Sequence, residues 1–107
     1  MNIQEYQNAV KRTCATSEQA ETLKLALICL QGELGEIAEP IKKYLWSGHE
    51  LDCSHIQDEV GDVLWCLATL CNTLGISLED AMVGNIEKLQ RRYPDGFSSQ
   101  RSLQRTT

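Results

Sequence analysis

The chain is poor in the residues that interrupt helices and in aromatic side chains. It has two prolines in 107 residues, and aromatic residues make up 6% of the total. It also lacks any apolar run near the ~18 residues that a membrane-spanning helix needs, so we expect no membrane span. Strand-like alternation is scarce, whereas apolar residues recur every three or four positions. These features predict an all-α globular domain.

Cysteine motifs are missing as well. The five cysteines are an odd number and contain no C-x-x-C pair. The simplest interpretation is a set of reduced thiols. Residues 1–5 have neither the basic segment nor the apolar segment of a secretion signal. We therefore expect a cytoplasmic protein.

Basic residues are fewer than acidic residues and are unevenly distributed along the chain. Ten Lys and Arg against fifteen Asp and Glu give a net charge of -5, yet the last twenty residues carry five basic residues and one acidic residue. A negatively charged protein is a poor general binder of duplex phosphates, so we expect no duplex nucleic acid as partner. A local acidic cluster beside a basic segment better suits a metal-bridged small molecule that carries phosphate.

The first two helices are predicted from their capping residues. Asn2 caps a helix over residues 3–14, and Ser17 with Glu18 opens a long second helix. Pro40 lies inside this second helix and predicts a kink, because proline cannot donate the usual backbone hydrogen bond.

Two further helices complete the prediction. Ser54 and Gln57 form a capping box that begins the third helix, and Gly75 ends it in a left-handed conformation. Ser77 caps the fourth helix, which ends just before Pro94. Residues 1–97 are thus one helical domain.

Two segments of the chain look unable to pack within a single subunit. Residues 23–30 of the second helix are apolar on more than one side, and one short bundle cannot cover them. We therefore expect a homo-oligomer. Residues 98–107 are polar with little apolar content, which predicts a flexible tail.

Four carboxylates form two pairs with the same spacing. Glu33 and Glu36 stand three apart on the second helix, and Glu59 and Asp62 do so on the third. Residues three apart share a helix face, where like charges repel unless a cation lies between them. On adjacent antiparallel helices the four would surround one pocket, and hard oxygen ligands suit Mg²⁺ or Mn²⁺. The alternative is an ordinary solvated acidic face.

Glycines accompany both acid pairs. A glycine inside a helix is unfavourable relative to alanine, so these positions suggest close approach by another helix or a ligand. The glycines are Gly32, Gly35 and Gly61.

Other candidates follow from the chemistry of phosphate transfer. A carboxylate must accept the proton of the attacking water, and Glu36 and Glu39 are both candidates. Phosphate oxygens need cationic or polar partners on one helix face, and aromatic rings could stack on a base. The phosphate candidates are Asn85, Lys88 and Arg92, and the aromatic candidates are Trp46, Trp65 and Tyr93. His49 and His55 show no metal-like spacing.

Taken together, these motifs resemble a known family. The pattern E-x-x-E, 22 intervening residues and E-x-x-D is followed by an N-x-x-K motif at Asn85 and an R-Y-P motif at Arg92. Over residues 20–97 this is similar to the MazG-like all-α nucleoside triphosphate pyrophosphohydrolases. The resemblance implies a four-helix-type bundle completed by dimerisation, often as a dimer of dimers. It also implies Mg²⁺-dependent cleavage of a nucleoside triphosphate to the monophosphate and pyrophosphate.

Two alternatives remain open. The chain could be a non-catalytic dimeric helical interaction module with an acidic surface, in which case Mg²⁺ would not matter. It could also be an enzyme of the same superfamily with another substrate, such as dUTP or a phosphoribosyl nucleotide.

Overall fold

The computed structural model describes residues 1–105, which form five α-helices and no strand. This confirms the all-α class. Thr106 and Thr107 of the predicted tail lie outside the described residues. The helices are α1 (Ile3–Val10), α2 (Gln19–Trp46), α3 (Cys53–Leu74), α4 (Leu78–Arg92) and α5 (Ser99–Leu103), with a 3₁₀ turn over Lys11–Thr13 between α1 and α2.

The two longest helices, α2 and α3, pack together as an antiparallel hairpin. At its open end the hydroxyls of Thr22 and Thr73 lie 3.0 Å apart. Fourteen residues further along α2 and fourteen residues back along α3, Glu36 lies close to Glu59. Both pairs fit one register, and that register places the two acid pairs side by side.

Helix α1 joins the hairpin to α4 through one buried glutamine. Gln7 Nε2 donates to the carbonyl of Ile76 at 2.8 Å, and Gln7 Oε1 accepts from the amide of Leu78 at 2.8 Å. Asn72 Nδ2 donates to the carbonyl of Gln7 at 3.0 Å. These bonds fix α1 against the turn that connects α3 to α4.

That turn bends the chain by 105°. Gly75 adopts φ 69°, a left-handed conformation that glycine reaches without steric cost, as the sequence predicted. Helix α4 therefore runs roughly perpendicular to α3. In the part of the chain that the structure describes, no single helix is both long and apolar enough to cross a membrane. Helices α3 and α4 have the necessary length and composition only when taken together as this bent pair.

The end of α1 and the start of α2 follow local capping bonds. Helix α1 ends at Val10, earlier than predicted, and the chain tightens into the 3₁₀ turn, where Thr13 Oγ1 donates to the Val10 carbonyl at 3.0 Å. Glu18 caps α2 and accepts from the amides of Ala20 and Glu21. Helix α2 then continues through Pro40 to Trp46.

The predicted cap of the third helix is wrong. Asp52, not Ser54, is the capping residue, because its carboxylate accepts from the amide of His55 at 3.0 Å and the helix already begins at Cys53. A charged carboxylate is favoured at the positive end of a helix.

The capping role of Asp52 predicts that substitutions at Asp52 and Ser54 have unequal effects on the free energy of unfolding. Asp52→Ala removes the capping acceptor and should lower the free energy of unfolding by about 0.5–2 kcal/mol. Ser54→Ala removes a side chain that does not cap the helix, so it should change the free energy of unfolding by less than about 0.5 kcal/mol. Denaturant titration of both variants measures the difference, and a larger loss for Ser54→Ala would contradict the assignment.

A single protomer buries little of its apolar surface. The buried apolar residues are small or lie at helix ends, namely Val10, Ala26, Cys66, Ala68 and Cys71. The Cα radius of gyration is 17.2 Å, against about 13 Å for a compact chain of this length. The accessible surface is 7926 Å², against about 6000 Å² for a monomer of this mass. The hairpin thus leaves much of its apolar face uncovered.

The tail contains one short helix. Ser98 caps α5 by accepting from the amide of Arg101 at 3.3 Å, while Leu103 remains 88% exposed. The flexibility of residues 98–107 stays a prediction.

Removing residues 98–107 should leave the fold of the protomer unchanged, because the exposed Leu103 shows that the tail adds little packing within the subunit. We expect the truncated chain to assemble as the full chain does. Circular dichroism and sedimentation of the truncated chain test this. Loss of assembly on truncation would assign the tail a structural role instead.

Candidate metal centre

Three of the four predicted carboxylates meet on one side of the hairpin. Glu33, Glu59 and Asp62 each place a carboxylate oxygen within 4.8 Å of the others. Glu33 is half-buried and Asp62 is exposed, whereas the Glu59 side chain is only 12% exposed. The cluster is therefore a pocket with Glu59 at its base and solvent at its mouth.

Glu59 has an unsatisfied oxygen. Its Oε2 atom is buried and has no hydrogen-bond partner among the described residues. A buried carboxylate oxygen without a donor or cation is strongly unfavourable. A divalent cation held by the surrounding acids would supply the missing positive charge, so the donor set fits a metal ion.

Glu33 responds to the same crowding. The pKa of Glu33 is raised by hydrogen bonding with the Glu59 carboxylate, and further by partial desolvation and by repulsion from the Glu59 charge. Two neighbouring carboxylates repel each other, and either a proton or a bound cation would reduce this repulsion.

Glu59 also belongs to a second group, together with Glu36 and His55. One ligand atom from each of these three residues lies within 4.8 Å of the other two. His55 Nε2 is 3.9 Å from Glu59 Oε1. The sequence prediction missed His55, which stands four residues before Glu59 and therefore on the same helix face. That spacing was the signal available in the sequence.

Glu39, the other candidate base, lies beside two lysines. Its carboxylate is 3.6 Å from Lys42 and 4.0 Å from Lys43. It lines a cavity of about 400 Å³ that also includes Glu36 and His55. Glu39 thus borders the centre without joining either group of potential ligands.

Tyr6 places α1 next to the acids. Its hydroxyl donates to the carbonyl of Gly61 at 3.4 Å. Burial raises the pKa of Tyr6, and the charges of Asp62 and Cys66 raise it further. Burial also raises the pKa of the Cys66 thiol, with smaller contributions from Cys29, Glu33 and Asp62.

The glycines beside the acids are not crowded in one protomer. A Cβ atom built on Gly32, Gly35 or Gly61 meets no described atom within 4 Å. The predicted close approach is therefore absent within the single chain, and space remains on this side of the hairpin.

The basic face of α4 lies far from the acids of its own protomer. Asp62 is twelve residues before the end of α3, and Lys88 is ten residues after the start of α4. These spans are about 18 Å and about 15 Å of helix. With a bend of 105° between the helices, the two residues are about 20 Å apart. The structure therefore does not bring Asn85, Lys88 or Arg92 to the acids of the same chain.

The aromatic candidates occupy three different environments. Trp65 Nε1 donates to Thr13 Oγ1 at 2.8 Å, so this indole anchors the 3₁₀ turn. Trp46 ends α2 and is 78% exposed. Tyr93 packs at a tilt against Phe97, with ring centroids 5.3 Å apart.

Comparison with known proteins identifies the domain in which the acid pairs lie. The MazG nucleotide pyrophosphohydrolase domain matches residues 19–97, which include both pairs and α4. The Gene 37 protein of Mycobacterium phage L5 is 32% identical over 105 residues, which cover 90% of this chain and 92% of that protein. No solved structure matches the chain. The domain match spans most of the chain, which therefore belongs to the MazG nucleotide pyrophosphohydrolase family.

Proposed function

We propose that this protein is a Mg²⁺-dependent pyrophosphohydrolase that cleaves (deoxy)nucleoside triphosphates to the monophosphate and pyrophosphate. Family membership supports the class of reaction. The observation that carries the assignment to this chain is the buried, unpartnered Oε2 atom of Glu59 at the junction of the two acid pairs. A role in removing unwanted nucleotides from the cellular pool would follow from this chemistry.

The proposed metal ligands are the four paired acids. Glu33, Glu36, Glu59 and Asp62 offer carboxylate oxygens, which suit Mg²⁺ and also Mn²⁺. When bound, the cation supplies charge neutralisation for the phosphate chain and makes water more acidic. Glu59 belongs to both groups of potential ligands, Glu33 and Asp62 to one of them, and Glu36 to the other.

Glu36 and Glu39 are the proposed acceptors of the water proton. Both line the 400 Å³ cavity next to the cluster, where we place the attacking water and a phosphate group. Glu36 is exposed and belongs to the second group of potential ligands, whereas Glu39 forms ion pairs with two lysines. Each has the exposure that proton exchange with solvent requires.

A second subunit is needed to complete the site. Because the face formed by Asn85, Lys88 and Arg92 lies about 20 Å from the acids of its own chain, we propose that it binds phosphate at the cluster of a partner protomer. Arg92 Nε is buried and unpartnered among the described residues. Trp46, Trp65 and Tyr93 are the proposed base contacts, and Trp46 is the most accessible of them.

The uncovered apolar surface supports a homodimer, or a dimer of dimers. Leu27, Leu34 and Ile41 recur every seven residues on α2 and are exposed, so they form one stripe along the helix. The protomer exposes about 1900 Å² more than a monomer of its mass. This excess matches the area that one subunit buries in an obligate dimer.

The substrate can be identified by incubating the protein and Mg²⁺ with each member of a panel of ribo- and deoxynucleoside triphosphates, including dUTP. The expected products are one monophosphate and pyrophosphate, with a preference among bases. A phosphoribosyl nucleotide belongs in the panel because it contains the same type of anhydride bond.

The exposed apolar surface also favours a second candidate, a non-catalytic dimeric helical interaction module with an acidic surface. It predicts no turnover of any nucleotide and no change in melting temperature with Mg²⁺. We also propose a cytoplasmic location, because the five cysteines are all free thiols.

A further inference from the structure

Glu59 connects two groups of potential ligands that differ in chemistry. Glu33 and Asp62 offer only carboxylate oxygens, whereas the group on the other side contains the imidazole of His55. We propose that Glu36, His55 and Glu59 form a second cation site, selective for a transition metal such as Mn²⁺ or Co²⁺ over Mg²⁺. This inference rests on the proposed function, because it assigns a second cation to the same centre.

The distance between His55 and Glu59 fits a shared cation. At 3.9 Å, Nε2 and Oε1 are too far apart for a hydrogen bond. Neighbouring ligand atoms that each lie about 2.0–2.2 Å from one tetrahedral metal ion are about 3.3–3.6 Å apart. A cation can therefore bridge this pair once the two side chains move together by a few tenths of an ångström.

Local structure holds the three ligands in place. His55 lies in the first turn of α3, where its amide is fixed by the Asp52 cap, and Glu59 follows one helical turn later. The hairpin register brings Glu36 to them from α2. The site thus combines a histidine and a glutamate on one helix with a glutamate from its neighbour.

Donor chemistry separates the two sites. Imidazole nitrogen is a good ligand for Co²⁺, Zn²⁺ and, less strongly, Mn²⁺, whereas Mg²⁺ prefers carboxylate and water. The adjoining cavity of about 400 Å³ leaves this second site open to solvent. Three protein ligands with an open side are typical of a catalytic cation site, in contrast to a closed structural site.

A simple ion pair between His55 and Glu59 is the competing explanation. It requires no third ligand and gives no preference among divalent cations. Glu36 also reaches this pair from the neighbouring helix, which favours a cation, because an ion pair between His55 and Glu59 would be weakened by a second carboxylate.

The test is a Co²⁺ titration of the apo protein, followed by the visible absorption of the bound ion. Wild type should bind Co²⁺ at least tenfold more tightly than Mg²⁺, with an absorption band that reports a nitrogen ligand. His55→Gln should lose this band and at least tenfold in Co²⁺ affinity, while its Mg²⁺ affinity changes less than about twofold. His49→Gln is the matched control, since His49 lines the same cavity but lies outside the ligand group.

A second variant keeps the result interpretable if His55→Gln folds poorly. His55→Asp restores an oxygen ligand, so it should keep cation binding and shift the preference from Co²⁺ towards Mg²⁺. Equal Co²⁺ affinity and equal spectra in wild type and His55→Gln would overturn the proposal, as would equal losses of Co²⁺ and Mg²⁺ binding. Because these readouts need no nucleotide, a protein without turnover that still shows the His55-dependent band would contradict only the proposed function.

Discussion

Glu59→Gln is expected to reduce pyrophosphate release by at least about a hundredfold while leaving the fold intact. Glu59 is shared by both groups of potential ligands, and the amide removes the charge that each group needs. Loss of a residue that only supports a metal ligand already costs about 10- to 100-fold, so loss of a shared ligand should cost more.

Although Glu59→Gln should lower turnover, it should not lower the stability of the apo protein. Glu59 raises the pKa of Glu33 in the folded state. A carboxyl group with a raised pKa is unfavourable for folding at neutral pH, and this penalty disappears as the pH falls through the raised value. Apo Glu59→Gln should therefore melt at or above the wild-type temperature at pH 7, and the difference should shrink in mildly acidic buffer.

Asp58→Asn is the matched control, because it removes one negative charge at the adjacent, exposed position of the same helix. Turnover and thermal melts with and without Mg²⁺ are measured for both variants. Mg²⁺ should raise the melting temperature of wild type and Asp58→Asn but not of Glu59→Gln. Near wild-type turnover in Glu59→Gln would falsify the metal assignment, whatever the melts show.

Leu27→Glu is expected to dissociate the oligomer into monomers. Leu27 is 52% exposed in the protomer and lies in the apolar stripe with Leu34 and Ile41. A carboxylate buried without a partner in an apolar interface costs several kcal/mol. The dissociation constant should rise by at least about a thousandfold, since 1.4 kcal/mol corresponds to a factor of ten.

Lys24→Glu provides the control for this experiment. Lys24 is an exposed polar residue of the same helix and pairs with Glu21 at the surface, so a carboxylate at this position remains in solvent. Sedimentation of both variants at micromolar concentration should show monomers for Leu27→Glu and the wild-type assembly for Lys24→Glu. If α4 of the partner supplies phosphate contacts, turnover should fall only in Leu27→Glu. A stable wild-type monomer at this concentration would contradict the proposed assembly.

The sequence was most informative where structure depends on neighbours within one helix. The end of α3 at Gly75 and the cap of α4 at Ser77 follow from local rules and agree with the structure. The shared faces of the acid pairs follow from helical spacing in the same way. The cap of α3 was predicted wrongly because Asp52 and Ser54 are both good capping residues and lie two positions apart.

Features that depend on contacts between helices were harder to predict. The role of His55 depends on Glu36, which the hairpin register brings from the other helix. The direction of α4 depends on Gln7, which binds both sides of the turn from a distant part of the chain. Neither contact leaves a periodic signal in the sequence, so the wide separation between the basic face and the acids could not be foreseen.

The most direct test of the proposed function is ³¹P NMR of wild-type protein with its preferred triphosphate. In Mg²⁺ buffer, the spectrum should show pyrophosphate and the nucleoside monophosphate appearing together in equal amounts. Addition of a chelator should stop the reaction, and excess Mg²⁺ should restore it. Formation of the diphosphate and inorganic phosphate, or equal rates with and without the chelator, would contradict metal-dependent cleavage between the α- and β-phosphates.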